Sequence, residues 1–359
     1  MNVSSLYSNI GDAGSSAVAP VPVSRPLLQG ARLRTVAGVA LGFVLASLPA
    51  ADAADRAAPV AGAERATVIV VSGATGEAEF APDLKLQVDA WVKVSGQAQA
   101  NTIVIGTEMG EGPSDRDRIK AALAAEPKSG AGELWLVLVG HGTFDDKEAK
   151  LNLRGPDVSS TDFAEWLKPF QRPLAVIDTT SSSAPFMSRL SAPQRVVVTS
   201  TRSGYQQNYA RFGKFLAEAL SDLKSDLDKD GQISLLESFL TASHRTAEFY
   251  KTEGRLATEH ALLDDNGDAL GTPADWFRGV NATKRAKDGA ALDGVRAHQF
   301  HLVRSPAELL LKPELRARRD QLEQRVAELR QAKAKMPETK YFQELEKLLL
   351  ELAELYDAT

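Results

Sequence analysis

Between Leu134 and Ser200 the apolar positions come in short unbroken runs, each closing on small polar residues. Leu134 to Val139 (LWLVLV) leads into Gly140-His141-Gly142, Leu174 to Ile177 leads into Asp178-Thr179-Thr180-Ser181-Ser182-Ser183, and Arg195 to Ser200 (RVVVTS) ends on hydroxyls. Aliphatic, partly β-branched runs without alternation mark strands covered on both faces, and helical-length segments between them predict a parallel sheet between helix layers. Upstream, Ala66 to Ser72 (ATVIVVS), broken by Gly73-Ala74-Thr75-Gly76, and Asn101 to Gly106 (NTIVIG) add two more such runs. Leu84, Leu86, Val88, Trp91 and Val92 fit an amphipathic helix imperfectly. Ser114 opens a helix ahead of Ile119 to Leu123, and Ser159 to Asp162 caps one carrying Phe163, Trp166 and Leu167. Leu151 to Gly155 reads as a short edge strand or loop. The β-α-β alternation is the doubly wound pattern, which places ligands at the carboxyl ends of the strands. His141 and the run Asp178 to Ser183 stand at two such ends.

Downstream, Tyr209 to Leu223 and Leu235 to Tyr250 are predicted helical. Between them, Asp226-Leu227-Asp228-Lys229-Asp230-Gly231-Gln232-Ile233-Ser234-Leu235-Leu236-Glu237 matches the EF-hand calcium loop at its diagnostic positions. Ca²⁺ takes hard oxygen ligands, and the spacing assigns carboxylates to Asp226, Asp228 and Asp230. It assigns a backbone carbonyl to Gln232, a direct or water-bridged contact to Ser234 and two oxygens to Glu237, with Gly231 making the turn and Ile233 packing inward. The alternative is an acidic interhelical loop that binds nothing specifically. A second cluster, Asp264-Asp265-Asn266-Gly267-Asp268, shares the spacing but has Ala269 at the glycine position, and a solvated turn is the simpler reading. Ala274 to Asp288 reads as a loop or short helix. His298 and His301 have a spacing that suits ligands on a helix, but the segment is short and offers them no partner, so a structural role is expected, as for His244 and His260.

At the strand ends the chain resembles the caspase and legumain-like cysteine peptidases, whose catalytic pattern is a strand ending in His-Gly followed by a strand ending in Asp-x-Cys-x-Ser-Gly. His141-Gly142 matches the histidine motif, and Asp178 to Ser183 lies over the nucleophile motif with Thr180 in the place of the cysteine and Ser183 in that of the glycine. The resemblance spans Ala66 to Leu263. It implies a three-layer parallel-sheet caspase-like α/β domain, a substrate groove helped by the strand and loop Arg195 to Asn208, and a helix over Phe212 to Ala219. The chain has no cysteine at all. A thiolate is nucleophilic near neutral pH, whereas an alcohol needs an oriented base or a free N-terminal amine, which an internal threonine lacks. The expectation is therefore a catalytically inactive domain that binds a protein or peptide through the former groove. The competing expectation is a hydrolase using Thr180 or Ser181 with His141 as general base.

Composition refines this picture at the two ends of the chain. With 359 residues, 43% apolar and 25% charged, the chain has ordinary globular composition, and a formal net charge of -5 lacks the basic footprint of a nucleic-acid or anionic-membrane binder. Arg25, Arg32 and Arg34 precede an apolar run from Thr35 to Leu48 and a small-residue site ending at Ala53. This reads as an export signal too short to span a membrane comfortably, with an uncleaved anchor as the alternative, and it implies a periplasmic or extracellular location. From Ser305 the composition shifts to Leu, Glu, Arg and Lys. Leu315, Leu322, Leu329 and Met336 recur every seven residues, Ser305 to Glu308 offers a capping box, and after Pro337 the positions Tyr341, Leu345, Leu348, Leu352 and Leu355 alternate by four and three. The expected organisation is a disordered N-terminus with export signal over 1–53, the α/β domain over 64–222, and an EF-hand-like segment with extension over 223–300. A helical hairpin or coiled coil over 305–357 follows, packing on itself, on the domain or on a partner protein.

Overall fold

A computed structural model describes residues 65–108, 112–287 and 290–357. The expected export signal lies outside the described residues. The elements are, in order, β1 (Thr67–Ser72), α1 (Ala81–Gln97), β2 (Asn101–Ile105), α2 (Asp115–Ala125), β3 (Leu134–Val139), β4 (Gly142–Phe144), β5 (Ala149–Leu151), β6 (Val158–Ser159), α3 (Ser160–Leu167), β7 (Leu174–Asp178), α4 (Ala184–Leu190) and β8 (Arg195–Thr199). There follow α5 (Phe212–Ala219), α6 (Leu235–Thr252), β9 (Leu262–Asp264), β10 (Thr272–Pro273), β11 (Phe277–Arg278), β12 (Asn281–Ala282), α7 (Val295–Gln299), α8 (Pro306–Leu310), α9 (Pro313–Ala332) and α10 (Glu338–Asp357). Together they form a mixed parallel and antiparallel α/β domain with C-terminal helices. No helix among the described residues is long and apolar enough to cross a membrane.

The main sheet runs β10-β9-β8-β7-β3-β1-β2, parallel from β2 to β8 and closed by antiparallel β9 and β10. Every residue of β1, β3, β7 and β8 is buried, which is why these strands show no polar alternation. Successive side chains divide between two cores. Val68, Val70, Trp135, Val137, Ile177 and Val198 pack under α1, α5 and α6, while Ile69, Val71, Leu136, Leu138 and Val176 pack under α2, α3 and α4. Each buried aliphatic side chain contributes about 1.5–3 kcal/mol relative to exposure, so the parallel strands dominate stability. α1 covers one face and α2 to α4 the other, so the crossover direction reverses between β1 and β3. Their carboxyl ends diverge there and leave a crevice.

Several expectations need correction. The helix expected over Tyr209 to Leu223 is confined to Phe212–Ala219 because Glu259, from a distant loop, accepts the backbone N–H groups of Arg211 (2.9 Å) and Phe212 (3.0 Å). A separate 3-10 turn, Leu223–Ser225, follows. The segment entering the acidic loop is thus not a continuous helix, and the helix-loop-helix frame of an EF-hand is incomplete on that side. The edge strand near Leu151 is β5, the centre of a small antiparallel sheet β4-β5-β6 that the pattern did not reveal. Ala274 to Asp288, where described, holds a 3-10 turn at Ala274–Trp276 and the two-stranded pair β11-β12.

In the tail, Ser305 caps only the short α8, and the Glu308 carboxylate turns away to Arg319 (2.6 Å) and Arg316 (3.1 Å), leaving the long helix to begin at Pro313. α9 and α10 fold back on each other around Leu322, Val326 and Leu348, so the apolar stripes pack within the chain as a hairpin. Met336 falls outside the helical stripe, at the end of the connecting 3-10 turn.

Candidate functional site

Four strand ends meet around His141. The turn after β3 bends through Gly140, whose φ of +140° favours glycine, and the Gly73 N–H donates to the Val139 carbonyl (2.7 Å), tying it to the end of β1. His141 Nε2 lies 3.2 Å from the Thr75 carbonyl oxygen. A carbonyl only accepts, so Nε2 carries the proton and a neutral ring keeps its lone pair on Nδ1. The ring meets Phe80 edge-on at 5.4 Å and Tyr209 at 5.7 Å, and these two rings stack on each other at 4.5 Å. Burial pushes the Tyr209 hydroxyl up to about 12, so it is a neutral hydrogen-bonding phenol, 3.2 Å from Gln87 Nε2. Gly142 is required by close approach: a Cβ there would lie 2.3 Å from the Ser181 carbonyl oxygen and 2.8 Å from Thr180 Oγ1.

The hydroxyl run after β7 is spent on the protein itself. Thr180 is fully buried, and its Oγ1 donates to Asp178 Oδ1 at 2.6 Å, with the Ser181 carbonyl at 3.1 Å. Ser181 Oγ donates to the Gly142 carbonyl (3.0 Å) and accepts the Gly142 N–H (3.1 Å). Thr179 Oγ1 donates to the Leu138 carbonyl (2.8 Å), and Ser183 Oγ joins Ser200 and Thr201. Desolvation raises the Asp178 carboxyl to about 7, opposed by its bonds from Thr180. Its Oδ2 has no hydrogen-bond partner among the described residues, which a protonated carboxyl tolerates better than a carboxylate.

In front of His141 opens a cleft of about 540 Å³ whose walls include Gly76, Phe80, Phe144, Ser181 and Tyr209. It occupies the crevice where the crossover direction reverses. Phe144 of β4 meets Tyr205 edge-on at 5.7 Å, and the Tyr205 hydroxyl donates to Asp146 (2.9 Å), joining the loop after β8 to that after β4. Thr180 does not line the cleft. Ser181 does, but only 1% of it is exposed. Phe80 and Tyr209 escaped the sequence reading because they lie outside the strands and come to His141 only through tertiary packing.

The second candidate is the loop 226–237. Asp226, Asp228 and Asp230 each present a carboxylate oxygen within 4.8 Å of the others, a convergence that fits one divalent cation. Asp226 accepts the N–H groups of Lys229 (2.6 Å) and Gly231 (3.2 Å), and Gly231 has φ +85°. Ile233 is buried, as its position requires. Glu237 and Ser234 form the capping box of α6, with Ser234 Oγ donating to Glu237 Oε2 (2.8 Å). Glu237 Oε1 also accepts Leu227 N–H (2.6 Å). The Gln232 side chain bridges Asp230 and the Ser305 N–H (3.1 Å).

At the second acidic cluster, Asp264 accepts the N–H groups of Gly267 and Ala269, both at 3.0 Å, and Ala269 takes the left-handed conformation, φ +62°. Asp265 caps α7 through Gly294 and Ala297, and Asp293 accepts the Asp265 N–H and the Thr272 hydroxyl. These carboxylates hold turns together. His298, read as structural, reaches Asp228 Oδ2 at 3.0 Å through its Nε2. His260 Nδ1 meets Gln206 Nε2 at 2.6 Å.

No family model matches the chain, and no curated protein matches it. Among solved structures it is similar to the Drosophila initiator caspase Dronc, at 10% identity over 57% of this chain and 81% of that one, TM-score 0.37. It is similar to caspase-1 from Spodoptera frugiperda, at 11% identity over 57% and 87%, TM-score 0.38. It is also similar to a protein from Geobacter sulfurreducens, at 11% identity over 51% and 89%, TM-score 0.34. These likenesses are distant, and the functional reading rests on this chain's own residues.

Proposed function

We propose that this chain is a caspase/legumain-like domain without a nucleophile, exported, and that it works by holding a peptide segment of a protein partner in the His141 cleft. One observation carries the reading: the hydroxyls nearest the nucleophile position are engaged internally, Thr180 by Asp178 and Ser181 by the Gly142 backbone. An alcohol nucleophile needs its proton taken by a base, and here the proton of each hydroxyl already points at a fixed acceptor. His141 Nε2 is occupied by Thr75. The remaining groups suit binding: an aromatic wall of Phe80 and Tyr209, and the edge strand β4, along which an extended peptide can lie. A divalent cation on the loop 226–237 would tie the loop to the start of α6 through Glu237.

Treatment of the purified chain with a fluorophosphonate probe tests this directly. No adduct is expected. Labelling at Thr180 or Ser181 that disappears on His141→Ala would establish the hydrolase alternative, with His141 as general base.

A further inference from the structure

The loop 226–237 supplies oxygens, and a nitrogen is brought to it by another element. His298 on α7 places Nε2 3.0 Å from Asp228 Oδ2, and one ligand atom each of His298, Asp228 and Glu237 lies within 4.8 Å of the others. Both ends of α7 are fastened. The Asp265 carboxylate accepts the N–H groups of Gly294 (2.9 Å) and Ala297 (2.8 Å), and the Leu235 N–H, at the start of α6, donates to the Phe300 carbonyl (2.8 Å). The imidazole is thus presented by a braced element rather than by a free side chain on a loop.

A second imidazole stands beside it. His301, its ring 6.3 Å from that of His298, is only 8% exposed, and its Nε2 has no hydrogen-bond partner among the described residues.

We infer that loop 226–237 and α7 form one composite nitrogen and oxygen site, in which Asp228 and Glu237 supply oxygens and His298 a nitrogen, Asp228 being shared with the carboxylates of Asp226 and Asp230, selective for a first-row divalent cation such as Zn²⁺ or Mn²⁺ over Ca²⁺. This rests on the reading of 226–237 as a cation loop. Ca²⁺ prefers oxygen ligands throughout, whereas imidazole suits the first-row ions, with Zn²⁺ held more tightly than Mn²⁺.

Calorimetric titration of the full chain, stripped with a chelator, with Zn²⁺, Mn²⁺ and Ca²⁺ in turn tests the assignment. The wild type is expected to bind Zn²⁺ with unit stoichiometry at least about tenfold more tightly than Ca²⁺, and His298→Ala to weaken Zn²⁺ by about tenfold or more while leaving Ca²⁺ within about twofold. Unchanged Zn²⁺ affinity in His298→Ala, or tighter binding of Ca²⁺ than of Zn²⁺ by the wild type, overturns the composite site and leaves the loop reading standing. Binding of none of the three ions removes both.

Discussion

Thr180 donates its hydroxyl to Asp178 Oδ1 across 2.6 Å in a corner where both residues are completely buried. The carboxyl is raised to about 7, chiefly by desolvation. A raised folded-state value means that the folded chain binds the proton more tightly than the unfolded one, whose value is about 3.9. The associated stability is complete at low pH and is lost as pH rises through about 7. Asp293, raised by burial to about 8, acts in the same sense, while His301, pushed down to about 4 by burial, acts oppositely below the ordinary histidine range. The melting midpoint is therefore expected to fall between pH about 6.5 and about 8.5, and Asp178→Asn, which imitates the protonated carboxyl, is expected to make that fall shallower. Melts of both proteins at the two pH values check it; an identical fall would assign the titration elsewhere.

Gly142→Ala is expected to cost about 1–3 kcal/mol, because the new methyl must displace backbone rather than a flexible side chain. The Ser181 carbonyl oxygen would lie 2.3 Å from it. Gly96, near the end of α1, has nothing among the described residues within 4 Å of a Cβ, and Gly96→Ala is expected to be neutral or to stabilise by up to about 1 kcal/mol. Denaturant titration of the pair checks the contrast, which fails if both substitutions cost the same.

Arg172 and Glu126 form a buried ion pair at 3.0 Å, and Arg172 also donates to the carbonyls of Gly132 and Glu133. Glu126→Leu leaves a buried guanidinium short of its counter-ion and is expected to cost about 3–5 kcal/mol, while Arg172→Leu in the same chain should restore part of that loss. A double-mutant cycle measures the coupling; additivity of the two losses would contradict it.

The main sheet was legible because strands covered on both faces carry an apolar record that survives without knowledge of their neighbours. Val68 and Ile69 face opposite cores, yet both must be apolar. The His141-Gly142 turn and the Asp178 to Ser183 run were legible for the related reason that strand ends of such sheets hold polar residues. The start of α5 was not, since it is set by Glu259 from a distant loop, and neither was the approach of His298 to Asp228, which are 70 residues apart. The cleft's aromatic wall was hidden likewise, because Phe80 and Tyr209 reach His141 only through tertiary packing.

Leu348 is 3% exposed and Leu322 fully buried between α9 and α10. Leu348→Ala is expected to cost about 2–5 kcal/mol of local stability through the cavity it leaves. Because this cluster is separate from the two cores of the sheet, hydrogen exchange should show lost protection in α9 and α10 with β3 and β7 unchanged. Equal loss in β3 and β7 would mean that hairpin and sheet unfold as one unit.

The claim on which the functional account turns, that position 180 is closed to chemistry, can be read from a single thiol, since the chain contains no cysteine. Thr180→Cys, exposed to iodoacetamide and followed by intact mass, is expected to stay unmodified while folded and to react fully in denaturant. Rapid alkylation of the folded protein that is slowed by His141→Ala would mean an open, activated position facing the imidazole, and would contradict the account.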